Sequence, residues 1–362
     1  MRIEQLTFTR FVAAFFIYVY HYGRKTYPFS IEQAVTFFKQ TNAGVSYFFI
    51  LSGYVMIFAY YKNFNERIDS KVFYINRFAR IYPIYLIALI LATIFKIYKL
   101  EVFRLLSIPF QLLGVQAWFA GYAMELNYPG WSISNELFFF LLFPLLFNKV
   151  YLKYNLFNVS VVVIGIWAIT QIVFNFLFRS SYYEGWATIS HEVLFYNPLM
   201  HINEFLIGNI AGLYFLQRIK GAGKQGNYDL VIVLLVLVLG LCMAFPIVNY
   251  HNGFLAIVFV PLLLLLSLNT GIITKIFAKP SLVLLGEISY GFYILHFPIL
   301  TFCKFAYLKL GINKEQFPLF YVGFFVVLIC SYLSYFIIEK PMRKWLSEIL
   351  KRKFFSNTTI NI

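Results

Sequence analysis

The chain is 362 residues long, 61% hydrophobic and only 12% charged, a balance that excludes a soluble or disordered protein and points to a polytopic membrane protein. Its formal charge of +15 does not argue for nucleic acid, because the cations gather at the ends of apolar segments, as the basic inner loops of a membrane protein do. Cys242, Cys303 and Cys330 lie in or beside apolar runs and show neither metal-ligand spacing nor a disulfide framework.

The apolar runs predict an all-α fold with about ten membrane helices. They lie at roughly 6–22, 43–61, 81–98, 132–149, 157–178, 198–217, 230–248, 254–270, 282–302 and 318–338, lengths that mostly suit one bilayer crossing. Residues 104–120 are apolar but carry Pro109, Gln111, Gln116 and Trp118, and are expected to form an interfacial or re-entrant segment. With the N-terminus inside and ten crossings, 20 of the 30 lysines and arginines fall on the inner side. An eleventh crossing at 104–120 would move every later basic loop outside, against the positive-inside bias. The first segment has no basic run before it and no small-residue cleavage site, so it is expected to remain as a helix. The membrane domain is placed at 1–345 and a basic, then polar, inner tail at 346–362, a surface helix with a frayed end.

The first segment, LTFTRFVAAFFIYVYHY, is organised around two ionisable residues. Arg10 and His21 are eleven steps apart, about three helical turns, so they share a face and lie roughly 16 Å apart along the axis. Charge inside a bilayer is costly and generally faces a protein interior or a water-filled cavity. Arg10 near the inner end could also snorkel to headgroups, and His21 could be an ordinary boundary residue.

GVSYFFILSGY opens the second segment, where Gly44 and Gly53 permit close helix packing and Ser46 and Ser52 can bond across helices. In NRFARIYPIYL, read as the loop before the third span, Arg77 and Arg80 are spaced i, i+3 and share one helical face if the helix starts there. Paired guanidinium groups suit phosphate, although they also fit a basic inner loop.

Tyr128–Glu136 leads into the fourth span. Glu136 is placed about a turn inside the outer boundary, where it would either orient His21 or simply favour the helix dipole after the Ser132–Ser134 cap region. His201 and Glu204 are spaced i, i+3 and are expected to pair with each other. Ser289 and His296 roughly share a face, with His296 at a depth comparable to His21; a hydrogen-bonded core histidine fits it equally. No metal motif, nucleophile elbow or phosphate-cradling glycine loop occurs.

Taken in order, these stretches resemble acyltransferase family 3, the integral membrane O-acyltransferases of bacterial surface polysaccharides. Arg10 and His21 match the family's Arg–ten residues–His motif. RFAR at 77–80 matches its RxxR motif, and GVSYFFILSGY at 44–54 its second-helix element. LLGVQAW at 112–118 and WSISNE at 131–136 match the elements around the fourth helix, and ISYGFYILHFP at 288–298 the late element. The resemblance runs from about Arg2 to Pro341, and no SGNH-type hydrolase domain, as follows the last span in some relatives, is expected here.

It implies acyl transfer from cytosolic acyl-coenzyme A, acetyl-CoA first, to a hydroxyl of a cell-envelope carbohydrate or lipid-linked glycan. No metal cofactor and no nucleic-acid partner is expected. His21 would be the catalytic base with Glu136 supporting the site. Arg77 and Arg80 would hold the coenzyme phosphates, and Arg10 would position the donor. Ser289, His296 and Trp131 are candidate acceptor-side residues, with Ser289 or Tyr290 as a possible oxyanion donor. The expected location is the bacterial inner membrane with both termini cytoplasmic. The alternative is a transporter or flippase of lipid-linked sugars, using the intramembrane ionisable groups as a relay; against it, no inverted repeat or pair of broken helices is visible. A structural scaffold would leave those groups unexplained.

Overall fold

The computed structural model describes residues 3–61, 66–99, 103–219, 225–311 and 316–355. Among them the regular structure is helical, apart from one isolated bridge between Gly226 and Asn269. In chain order the helices are α1 (Gln5–Tyr18), α2 (Glu32–Lys39), α3 (Ala43–Tyr60), α4 (Ser70–Tyr98), α5 (Ser107–Leu113), α6 (Gly130–Leu146), α7 (Leu156–Arg179) and α8 (Ile189–Tyr196). They continue as α9 (Pro198–Tyr214), α10 (Asp229–Ala244), α11 (Ala256–Leu268), α12 (Ile272–Phe277), α13 (Pro280–Lys309), α14 (Gln316–Ser334) and α15 (Lys340–Phe355). π turns extend α1 through Val19–Gly23, α6 through Phe147–Tyr151, α9 through Phe215–Ile219 and α14 through Tyr335–Glu339.

Each of the ten expected segments is helical, and seven helices among the described residues are long and apolar enough to cross a bilayer. α10 and α11 are apolar but shorter. Residues 104–120 hold only the short α5 and a single 3-10 turn, Gln116–Trp118, far below the roughly 20 residues that a crossing helix needs. α15 runs without a break across residue 345, and residues 356–362 of the expected tail lie outside the described residues.

The third expected span, α4, corrects an expectation. It begins at Ser70, not near 81, because Asp69 caps it: Asp69 Oδ1 accepts from the backbone N–H of Lys71 (2.9 Å) and Val72 (3.1 Å). Arg77 and Arg80 therefore project from a helix, not from a loop. Their charge made the stretch read as a connection; the cavity they face makes it tolerable inside a helix.

Glycine sets the closest helix contacts. α3 packs along α9, where a Cβ on Gly53 would overlap the Phe205 carbonyl oxygen and one on Gly208 the Ile50 carbonyl oxygen. Backbones meeting this closely are the membrane solution to helix association without a hydrophobic drive. The same seam holds a buried polar knot. His201 Nδ1 lies 2.8 Å from Glu204 Oε2 and His201 Nε2 2.8 Å from the Phe195 carbonyl, while the Ser46 hydroxyl donates to Glu204 Oε1. His201 and Glu204 thus pair with each other, and their polar atoms are satisfied within the core. α1 packs on α13, and α15 lies against α4, which brings the chain's last described helix to the RFAR face.

Candidate active site

Two cavities lie along α1. The first, about 410 Å³, is lined by Arg10 of α1, Ser52 of α3, Arg77 and Arg80 of α4 and Glu136 of α6. Glu287, Ser289 and Tyr290 of α13, Tyr335 and Glu339 of the π turn after α14, and Lys340 and Arg343 of α15 complete it. Five cationic side chains thus face three carboxylates, and the carboxylates already have partners. Glu136 accepts from the Ser52 hydroxyl (3.3 Å), Glu287 from the Tyr335 phenol (2.8 Å) and Glu339 from the Ser334 hydroxyl (3.2 Å).

Arg77 is held by aromatic rings. Its guanidinium carbon lies 5.2 Å from the Tyr60 ring centre, 5.5 Å from that of Phe140 and 5.6 Å from that of Phe73, and Nη2 donates to the Tyr60 hydroxyl at 3.1 Å. Its Nε is buried without a hydrogen-bond partner among the described residues. Arg80, one turn on, is exposed where it lines the cavity. A preorganised guanidinium with an uncommitted N–H, beside further cations, is chemistry for a phosphate or another multivalent anion.

The second cavity, about 240 Å³, lies at the other end of α1. It is lined by His21 and Tyr20, by Lys39, Gln40 and Asn42, and by Tyr128 and Trp131. Tyr183, Trp186, His191 and Tyr196 close one side, and Asn249 and His251 another. His21 sits inside the π turn Val19–Gly23, where hydrogen bonds span five residues and the side-chain register shifts. Its ring stacks on His296 at 5.5 Å between centroids and 24° between planes, and meets Tyr128 edge-on at 5.2 Å. His296 Nδ1 lies 2.5 Å from the Tyr293 carbonyl. A carbonyl can only accept, so Nδ1 carries the proton and Nε2 is the bare nitrogen; it has no hydrogen-bond partner among the described residues. In the loop before α6, burial pushes the Tyr128 phenol above its ordinary range and keeps it neutral.

The structure therefore brings together Arg10, Arg77 and Arg80 in one cavity, and His21, His296 and Trp131 in or beside the other. Glu136 departs from its expected place. It lines the arginine cavity and not the His21 cavity, because α6 starts at Gly130 with a buried first turn and carries the carboxylate further inward. Ser289 and His296 also part: Ser289 lines the arginine cavity and donates within its own helix to the Gly286 carbonyl at 2.8 Å. Tyr290 donates to the Ile81 carbonyl at 3.0 Å.

Sequence reasoning did not single out Glu339, Lys340 or Arg343 as site residues; their signal is a run of charge resuming directly after the last expected span. It also missed the aromatic group of Tyr183, Trp186 and His191 and the Tyr293 carbonyl that accepts from His296 one helical turn later. Among the described residues no group of three His, Cys, Asp or Glu side chains is placed to hold a metal.

A family model described as an acyltransferase domain matches residues 3–336. The chain belongs to acyltransferase family 3. Two relatives illustrate the range of that similarity. O-acetyltransferase OatA of Staphylococcus aureus (strain NCTC 8325 / PS 47) is 25% identical over 339 residues, covering 83% of this chain and 52% of its own. Acyltransferase MdmB of Streptomyces mycarofaciens is 24% identical over 331 residues, covering 83% of this chain and 80% of its own. The chain thus spans about half the length of the staphylococcal relatives it matches. No solved structure matches it. A family 3 acyltransferase domain requires an acyl donor and a group to receive the acyl chain.

Proposed function

We propose that this membrane protein transfers an acyl group, acetyl in the first instance, from cytosolic acyl-CoA to a hydroxyl of a cell-envelope carbohydrate. The observation that carries this is the pair of cavities at opposite ends of α1, one rich in guanidinium groups and the other holding His21 among aromatic and amide side chains. Coenzyme A brings phosphates, which suit Arg77, Arg80 and Arg343. Its pantetheine arm then runs along α1 past Arg10, over a distance of roughly 16 Å, towards His21. With the basic loops inside, the arginine cavity opens to the cytosol and the His21 cavity to the outer face.

On the acceptor side, Trp131, Trp186 and Tyr128 offer flat apolar faces for the C–H surface of a sugar ring, and Asn42, Gln40 and Asn249 offer hydrogen bonds for its hydroxyls. His21 takes the proton from the attacking hydroxyl, a role worth typically 10²–10⁴-fold. His296, stacked on it, keeps its Nε2 without a hydrogen-bond partner among the described residues, and Glu136 holds the arginines in place as their counter-charge.

The test is the mass of envelope polysaccharide from cells with the gene intact, deleted, or carrying His21→Ala. Loss of one acetyl group per acceptor site in both altered strains is the expected result. Unchanged polysaccharide in the deletion strain, with lipid-linked sugar accumulating inside, would contradict it.

A further inference from the structure

Among the described residues only Val45 and Tyr293 line both cavities. They are the partition an acyl group must pass between the arginines and His21, and Tyr293 alone of the two carries a polar group. We propose that the Tyr293 hydroxyl is the hydrogen-bond donor to the acyl carbonyl during transfer, and that its ring closes the passage when no donor is present. This rests on the acyl-transfer reading given above.

Tyr293 is buried, with its ring packed edge-on against Phe48 (5.7 Å) and 5.8 Å from His296. Its backbone carbonyl accepts from His296 Nδ1, so the same residue fixes the tautomer of the histidine stacked on His21. Its hydroxyl donates to Ser132 Oγ at 2.9 Å, with the Pro129 carbonyl at a longer 3.5 Å, and Ser132 Oγ donates to that same carbonyl at 2.9 Å.

That resting partner is what distinguishes Tyr293. The hydroxyls of Ser289 and Tyr290 have backbone carbonyls as partners at 2.8 and 3.0 Å, whereas the nearer partner of the Tyr293 hydroxyl is a side-chain hydroxyl. A serine hydroxyl both donates and accepts, so the Tyr293–Ser132 bond can reverse. Ser132 turns to donate to the Tyr293 oxygen, and the phenolic proton is released towards a carbonyl arriving at the partition.

In the reaction the acceptor oxygen bonds to the thioester carbon, its proton passes to His21, the carbon–sulfur bond breaks, and the departing thiolate takes the proton from His21. Tyr293 keeps its proton throughout and stabilises the negative charge on the carbonyl oxygen. A donor of this kind contributes on the order of 10²–10³ in rate.

The experiment uses inside-out membrane vesicles from producing cells, supplied with radiolabelled acetyl-CoA, and reads label in the endogenous polysaccharide. Tyr293→Phe keeps the ring and should lower the maximal rate by about 10²–10³-fold, with the acetyl-CoA concentration for half-maximal rate unchanged. Fluorotyrosines at position 293, which preserve shape, give a second arm: the rate should change with the acidity of the hydroxyl.

Undiminished transfer by Tyr293→Phe, a loss confined to acetyl-CoA affinity, or a flat fluorotyrosine series overturns the Tyr293 assignment alone. Wild-type vesicles that incorporate no label overturn the acyl-transfer reading and this assignment with it.

Discussion

Arg77 is fixed before any ligand arrives, by three aromatic rings and the Tyr60 hydroxyl. Losing a charge-assisted hydrogen bond costs about 1.5–3 kcal/mol, or roughly ten- to a hundredfold in affinity. Arg77→Ala should therefore raise the KM for acetyl-CoA by about that factor while leaving the rate at saturation largely intact. Arg77→Lys should not restore it, because an ammonium neither stacks on the rings nor offers the planar fork. Steady-state kinetics over donor concentration check both; an unchanged KM in either variant contradicts the phosphate role. Arg10 stood out in the sequence as charge in an apolar context, and Arg77 and Arg80 as a guanidinium pair suited to phosphate. Glu136 was misplaced because counting from a span edge cannot reveal where a helix begins. Arg343 was invisible because its place in the cavity depends on α15 folding back on α4, a contact with no local signature.

Helices themselves were readable as apolar runs, but their ends and irregularities were not. Asp69 starts α4 well inside what reads as a charged connection, and the π turns that carry His21 and Glu339 depend on packing, not on local preference. The α3–α9 seam, by contrast, was half visible, since Gly53 and Ser46 were singled out and Gly208 was not. Gly208→Leu would drive a side chain into the Ile50 carbonyl, and overpacking of this kind costs about 1–3 kcal/mol or more. It should lower the melting temperature in detergent and broaden the size-exclusion peak; a wild-type profile would show that the helices do not pack this closely. Glu204→Ala should be destabilising too, by about 1–3 kcal/mol for each buried group left unsatisfied. Thermal unfolding of the purified protein measures it, and an unchanged melting temperature would remove the knot from the account of stability.

At the scale of the whole molecule the account requires two compartments opening to opposite faces. Ser52→Cys, in the arginine cavity, should react with a membrane-impermeant thiol reagent only in inside-out vesicles. Asn42→Cys, in the His21 cavity, should react only in right-side-out ones; the native cysteines are replaced first. Labelling of both from one side would contradict the arrangement. The sequence carried the all-α membrane class, but not the separation into two cavities, which arises from how α1, α3, α6 and α13 converge at Val45 and Tyr293.

The most direct test of the central claim compares acetyl-CoA binding and acyl transfer in purified wild-type protein and in the variants Arg80→Ala and His21→Ala, with envelope glycan from the producing cells as acceptor. The account predicts that Arg80→Ala weakens donor binding, whereas His21→Ala binds the donor as the wild type does and transfers at least about 10²-fold more slowly. A folded His21→Ala protein that binds donor and transfers at the wild-type rate would contradict it.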